Sequence, residues 1–278
     1  MDTVKVIYIT SVGHSGSTLL DVLLNQHSAI QSVGEIMFYD EWLKNDLLCS
    51  CGKPLKICTF WTKIVPSKFS LLGDIHGINY AENSFLLFKE ISAVSQNDIL
   101  VDSSKSVHRL GILLSDSHFE VKIIHLVRNG LAVMNSLNKS HDRPGSGNKL
   151  KTKATPILRG ILRWVQRNRS IDKIARRRSN DYLRIRYEDL CTQPEVELRN
   201  ICKFIEVDFE KTMLKPKLVD NHNIGGSRWR FSNDPIEIKL DDKWMSELSL
   251  GSKLLFKFFA GRLNKRYGYP VLRTPDEK

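Results

Sequence analysis

The stretch that most constrains this chain runs from residue 4 to residue 24, VKVIYITSVGHSGSTLLDVLL. It opens on Val4, Val6, Ile7, Tyr8 and Ile9, an apolar run rich in β-branched side chains and bounded by small polar residues. That composition predicts a buried strand. It closes on Thr18-Leu19-Leu20-Asp21-Val22-Leu23-Leu24, which predicts a buried helix. Between them lies Ser11-Val12-Gly13-His14-Ser15-Gly16-Ser17. A strand, a small-residue turn and a helix start make an anion site, because the first helical amides have no intrahelical acceptor and carry the positive end of the dipole. Gly13 and Gly16 allow close approach of a phosphate to the main chain, and Ser15, Ser17 and Thr18 add hydroxyl donors. The loop is not a Walker motif. Aligned on Gly16 and Thr18, that motif would need glycine at Ser11 and lysine at Ser17. A plain Gly/Ser turn would also give this string, so the rest of the chain must decide.

The rest of the chain alternates strand and helix patterns. Residues 99–101, 121–127 and 182–187 read as strands, and residues 30–33 as a short extended segment ending at Gly34-Glu35. Residues 79–95, 131–137, 157–178 and 194–204 read as helices, as does most of 244–267. Such alternation predicts an α/β fold, a central parallel sheet flanked by helices in three layers, with ligands at the carboxyl ends of the strands. With 278 residues, 41% of them hydrophobic, a single domain over residues 1–278 is expected. Loops at about 45–62 and 140–156 are expected to be mobile, and the C-terminal region helical.

Several classes drop out. No run approaches the roughly 18 apolar residues of a membrane span. The N-terminus enters a strand without a basic segment followed by an apolar one, so no secretory signal is visible and a cytoplasmic location is expected. The net charge of +11 fits a polyanionic ligand, an acidic substrate or nucleic acid, or simply a lysine-rich soluble protein. Five cysteines disfavour a disulfide framework. Three of them cluster as Cys49, Cys51 and Cys58, a C-x-C-x6-C spacing that matches no standard zinc pattern. Reduced thiols in a compact loop rank first, a redox pair second and zinc third, with His76 or His27 as the fourth ligand; no metal site is assigned.

Each strand should deliver functional residues just past its end. The first delivers the Gly/Ser loop, the second Asp102-Ser103-Ser104-Lys105, the third Arg128 with Ser136 eight residues on, and the fourth Tyr187-Glu188-Asp189. A late Gly/Arg loop, Gly225-Gly226-Ser227-Arg228-Trp229-Arg230, adds more cations. Cations and hydroxyls dominate, which suits a ligand with several negative charges.

In order and spacing, the motifs Gly13-His14-Ser15-Gly16-Ser17-Thr18, Leu126-Val127-Arg128-Asn129 with Ser136, and Gly225-Gly226-Ser227-Arg228 resemble the sulfotransferases that use 3′-phosphoadenosine 5′-phosphosulfate. The resemblance spans roughly residues 4–231 and implies a P-loop-like sulfotransferase architecture. It implies that Gly13, His14, Ser15, Gly16, Ser17 and Thr18 bind the 5′-phosphosulfate. Arg128, Ser136 and Arg228 would take the 3′-phosphate, with Gly225, Gly226 and Ser227 closing over the nucleotide. The family usually carries lysine or arginine at position 14, where this chain has histidine, so the resemblance implies a catalytic role for His14 in stabilising the sulfonate. Glu35 resembles the general base of glycan-modifying members, and Lys105 the catalytic lysine that neutralises the leaving group or holds the acceptor. Asp102 is expected to orient Lys105, His108 is a fallback base, and Tyr187 either contacts adenine or is a core tyrosine at a strand end. Arg230 is a secondary candidate for the nucleotide.

The expected reaction moves a sulfuryl group to a hydroxyl or amine of a small-molecule or glycan acceptor, leaving adenosine 3′,5′-bisphosphate, without a required metal, nucleic acid or membrane span. Oligomeric state and acceptor identity are not legible. A P-loop nucleotide kinase is the rival enzyme, opposed by the absent lysine at position 17. A basic RNA- or glycan-binding module is the non-enzyme rival, supported by the arginine-rich residues 157–178 but lacking the clustered aromatics of an RNA-binding sheet.

Overall fold

The structure is a computed structural model that describes residues 3–64, 71–139, 141–142, 151–217, 221–231 and 236–270. For residues 141–142, 151–152 and 228–229 it describes the main chain alone.

Five parallel strands form the central sheet in the order β2-β3-β1-β4-β7: β1 (Val4–Thr10), β2 (Ile30–Gly34), β3 (Ile99–Asp102), β4 (Phe119–Val127) and β7 (Tyr182–Arg186). A short antiparallel pair, β5 (His141–Asp142) and β6 (Lys151–Thr152), lies apart from it. The centre strand β1 is apolar at nearly every position because both of its faces are covered. Val4, Val6 and Tyr8 pack into one core layer, and Ile7 and Ile9 into the opposite one. The same alternation splits Val121 and Ile123 from Ile124 and Leu126 on β4.

The first layer is built from α2 (Tyr39–Lys44), α3 (Tyr80–Ser95) and α4 (Val107–Ser115). The second is built from α1 (Ser17–Leu24), α7 (Tyr187–Thr192) and α8 (Pro194–Phe204). A third apolar cluster joins α5 (Gly130–Leu137) to α6 (Ile157–Ala175) and to the C-terminal pair α9 (Trp244–Glu247) and α10 (Leu250–Arg266). The expected helix over 244–267 is broken before Leu250, where the Ser249 hydroxyl accepts from the Ser252 amide and restarts the chain as α10. The segment expected only as extended, residues 30–33, is the edge strand β2, paired with β3 through Ile30–Ile99 and Ser32–Val101.

The loop at 45–62, expected to be mobile, is anchored in the first core layer. Leu47, Cys49, Leu55, Cys58 and Trp61 are buried in the first core layer. Its turn is closed by Cys49 N–H to the Lys53 carbonyl (2.9 Å) and Leu55 N–H to the Leu47 carbonyl (3.1 Å). Its Gly, Pro and Lys content signalled exposure, but apolar residues between them anchor it. Most of the loop at 140–156 lies outside the described residues.

The sheet order reverses around β1. From β1 the chain goes to the edge strand β2 and returns through β3 beside β1, then crosses to β4 and β7 on the other side. A crevice therefore opens past the carboxyl end of β1, where parallel α/β sheets bind ligands.

Candidate active site

Two clusters of charge flank that crevice. One is organised by Arg128, which directly follows β4. Its guanidinium donates to the His14 carbonyl (3.0 Å) and to the carbonyl and carboxylate of Asp241 (2.8 and 2.9 Å). Its Nε is buried without a partner among the described residues, and its cationic carbon lies 4.4 Å from the centre of the Tyr187 ring. The turn behind it is braced: Asn129 N–H donates to Glu188, Gly130 N–H donates to Asn264 of α10, and Tyr269 O–H donates to the Val127 carbonyl. Beside Arg128 opens a cavity of about 220 Å³, lined among others by Asn135, Ser136, Lys139, Asp241, Lys243 and Glu247. Lys139 and Asn135 there meet the Glu247 carboxylate.

The loop after β1 lies against this cluster. Gly16 adopts φ 91°, and a Cβ there would sit 2.3 Å from the Tyr187 ring. Only glycine permits both the left-handed turn and the ring contact. Ser15, Ser17 and Thr18 are buried, whereas His14, at φ 68°, is exposed and engages Arg128 through its carbonyl. The side chain of Thr18 accepts from the Ser227 amide (3.0 Å), so the late Gly-rich loop closes onto the start of α1.

The second cluster pairs Glu35 with Lys105. Lys105 Nζ donates to Glu35 Oε1 at 2.5 Å, and the Gly226 amide donates to the same oxygen at 3.0 Å. Both side chains are about one-sixth exposed, at 17% and 16%. Gly225 makes this possible: at φ 67°, a Cβ on it would lie 2.7 Å from that of Glu35. Glu35 N–H donates to the Ile224 carbonyl (2.7 Å), which extends the edge of β2 by one bridge.

Other expected roles change. Asp102 does not reach Lys105. Its carboxylate takes Arg109 Nε at 2.7 Å and the Ser104 amide at 2.9 Å, both buried, so it shapes the turn whose left-handed residue is Lys105, at φ 63°. A buried guanidinium is the stronger claimant for a buried carboxylate, and no local pattern marks Arg109 as turned inward. Tyr187 is a core tyrosine: it is 6% exposed, its ring is held between Gly16 and Arg128, and its hydroxyl donates to the Lys239 carbonyl. His108 is exposed and packs against His76, with ring centres 4.8 Å apart. His27 instead meets the Asp208 carbonyl at 2.8 Å, so neither expected fourth ligand approaches the cysteines. The side chains of Arg228 and Trp229 lie outside the described residues. Arg230 is fully buried, and its charge acts on Asp21, Glu35 and Cys49.

Sequence reading missed two groups. Asp241, in the irregular segment before α9, is the partner of Arg128. Asp21 on α1 is buried between Ser32 Oγ (2.5 Å) and the Asn223 amide, and burial raises its carboxyl to about 6. Both pair with residues more than ten positions away and carry no local motif.

Comparison with known proteins agrees with this architecture. A family model described as the sulfotransferase family matches residues 62–211, more than half of the chain. The matched span carries β3, β4 and β7 with Lys105 and Arg128, but neither the loop after β1 nor Gly225-Gly226. Among solved structures, the sulfotransferase domain of the Synechococcus PCC 7002 olefin synthase is 24% identical, with a TM-score of 0.59 over 96% of each chain. The sulfotransferase domain of the curacin biosynthetic pathway is 20% identical, with a TM-score of 0.61 over 98% of this chain and 99% of its own. A sulfotransferase from Mycobacterium tuberculosis is 12% identical, with a TM-score of 0.50 over 93% of this chain and 77% of its own. At these identities the likeness is one of fold. A search of curated proteins found no match. On the extent of the family match, and with the sheet and helical layers of solved sulfotransferases around it, the chain belongs to the sulfotransferase family.

Proposed function

We propose that this sulfotransferase takes its sulfuryl group from 3′-phosphoadenosine 5′-phosphosulfate and passes it to a hydroxyl or amine of a small-molecule or glycan acceptor, as one catalytic unit. The observation that carries the donor assignment is the cavity at Arg128. It sets a buried guanidinium with an unpartnered Nε beside Ser136, Lys139 and Lys243, directly against the loop after β1. That donor set fits a nucleotide with phosphate at one end and phosphosulfate at the other. Arg128, Ser136 and the two lysines would hold the 3′-phosphate, while Gly13 to Thr18 would hold the 5′ end with main-chain amides and hydroxyls. Asp241 already takes Nη2 of Arg128 on its carbonyl and carboxylate; a phosphate dianion is a stronger acceptor for that guanidinium.

When bound, the donor supplies an activated sulfuryl group; the protein supplies position and charge. Glu35 accepts the acceptor's proton in this reading. Both of its described bonds go to Oε1, and among the described residues Oε2 accepts none, which leaves an oxygen for the substrate. Lys105, held at the same carboxylate, offsets negative charge that develops on the leaving group. The five free cysteines suit a reducing, cytoplasmic compartment.

Isothermal titration with adenosine 3′,5′-bisphosphate, without added magnesium, tests the donor. Tight binding is expected, with magnesium ATP weak; no binding of the bisphosphate sinks the assignment. In the same titration Arg128→Ala should weaken binding roughly 10- to 100-fold, the loss of a charge-assisted pair of hydrogen bonds. Unchanged affinity removes Arg128 from the phosphate site.

A further inference from the structure

The three clustered cysteines converge with a histidine the sequence places far away. Cys58 Sγ lies 3.2 Å from His222 Nδ1, Cys49 Sγ 3.8 Å from the same nitrogen, and Cys51 Sγ 3.6 Å from Cys58 Sγ. All four potential ligand atoms fall within 4.8 Å of one another. With zinc–sulfur bonds near 2.3 Å, the edge of a tetrahedron of sulfurs is roughly 3.8 Å, and a sulfur–nitrogen edge is slightly shorter. The spacing found is that of ligands around one small ion. No two of these sulfurs are bonded to each other.

We propose that Cys49, Cys51, Cys58 and His222 bind one zinc ion at a structural site outside the catalytic crevice. Three thiolates and an imidazole form a soft, closed donor set with no position left for water or substrate, which selects zinc in a structural role.

The surroundings hold the ligands in place. Gly52, at φ 81°, turns the chain so that Cys49 and Cys51 face the same way, with Gly52 N–H donating to the Cys49 carbonyl. The imidazole is fixed from two sides: Phe60 stacks on it at 5.0 Å and 7°, and Trp61 Nε1 donates to the His222 carbonyl at 2.8 Å.

The ion would tie together two segments 164 positions apart. On one side is the buried loop after α2. On the other is the strand-like segment through Ile224, which bonds to Val33 and Glu35 on the edge of β2 and ends in the Gly226 amide that holds Glu35. Hydrogen bonds of Ser50 with Asn221 and Asn223 run beside the cluster. The site is independent of the donor assignment: it stands or falls on metal content, whatever the chain transfers.

The test is elemental analysis of the full chain, expressed without added metal or chelator and purified under reducing conditions. One zinc per chain is expected, released by an organomercurial and counted with a chromogenic chelator. Cys58→Ser and His222→Ala should each lower the stoichiometry at least tenfold, and Cys202→Ala should leave it unchanged. Because the first two variants could fail to fold, wild-type protein is also stripped and titrated with cobalt(II). Thiolate-to-cobalt charge transfer and the intense visible bands of tetrahedral cobalt, bleached by one equivalent of zinc, support the site. A protein free of zinc that also fails to give those bands overturns it. So does a disulfide among Cys49, Cys51 and Cys58 under those conditions, or stoichiometric iron or copper in place of zinc.

Discussion

Glu35 receives the Lys105 ammonium and the Gly226 amide on a single oxygen, so its position is fixed by groups from two other segments of the chain. Replacing it by glutamine keeps an acceptor oxygen of the same reach and removes the proposed base. Glu35→Gln should therefore bind adenosine 3′,5′-bisphosphate within about twofold of wild type while transfer falls by about 100-fold or more, the usual share of a general base. Initial rates with labelled donor, on whichever acceptor a screen of hydroxyl compounds identifies, provide the readout; full activity would move the base elsewhere. At this scale legibility depended on distance along the chain. Glu35, Lys105 and Arg128 sit just past strands, where a parallel sheet collects side chains at one edge, and their placement was legible from the strand pattern. Arg109, Asp241 and His222 meet partners distant in sequence, Tyr80 of α3, Arg128 and Cys58, and no local pattern marks such a side chain as turned inward.

The element that the opening stretch predicts, strand, loop and helix, is present as β1 and α1, but its two glycines are unequal. Gly16 has a left-handed backbone and the Tyr187 ring against its Cα, whereas a Cβ at Gly13 would meet nothing within 4 Å. Gly16→Ala combines left-handed strain of roughly 1–2 kcal/mol with an overpacking cost of roughly 1–3 kcal/mol, so about 2–5 kcal/mol of stability should be lost. Gly13→Ala should cost less than about 1 kcal/mol. Urea denaturation of the two variants measures both; equal losses would mean that Tyr187 does not set the height of the loop. Strand and helix were legible here because apolar period and length are local properties. The packing of Tyr187 under the loop was not, since it depends on how β7 and α7 dock beside β4. The same distinction explains the loop at 45–62, where turn residues were visible and the core they cover was not.

Across the whole molecule, two fully buried ionisable groups act against each other in mild acid. His125 on β4 is enclosed by the Tyr182 hydroxyl (2.7 Å) and Asn168 Oδ1 (2.9 Å), and burial lowers it from 6.5 to about 4. Its neutral form is native, so its contribution is present above pH 6.5 and is lost as pH falls toward 4, because the unfolded chain binds the proton first. Asp21 behaves oppositely. Burial raises it from 3.8 to about 6, so the native state binds its proton first, and its contribution is present below pH 3.8 and is lost as pH rises through 6. Each shift of about two units corresponds to roughly 3 kcal/mol, and over pH 4 to 6 the two nearly cancel. Single substitutions should unmask them. Relative to wild type, Asp21→Asn should lose stability as pH is lowered from 6 to 4, and His125→Gln should gain it, each by roughly 3 kcal/mol across the window. Urea unfolding free energies at half-unit pH intervals supply the difference curves, in which the many exposed carboxylates common to all three proteins drop out. Slopes of opposite sign are the expected result. Curves parallel to wild type would show that water or local opening reaches both sites, and that the two core layers do not enclose them as the static packing indicates.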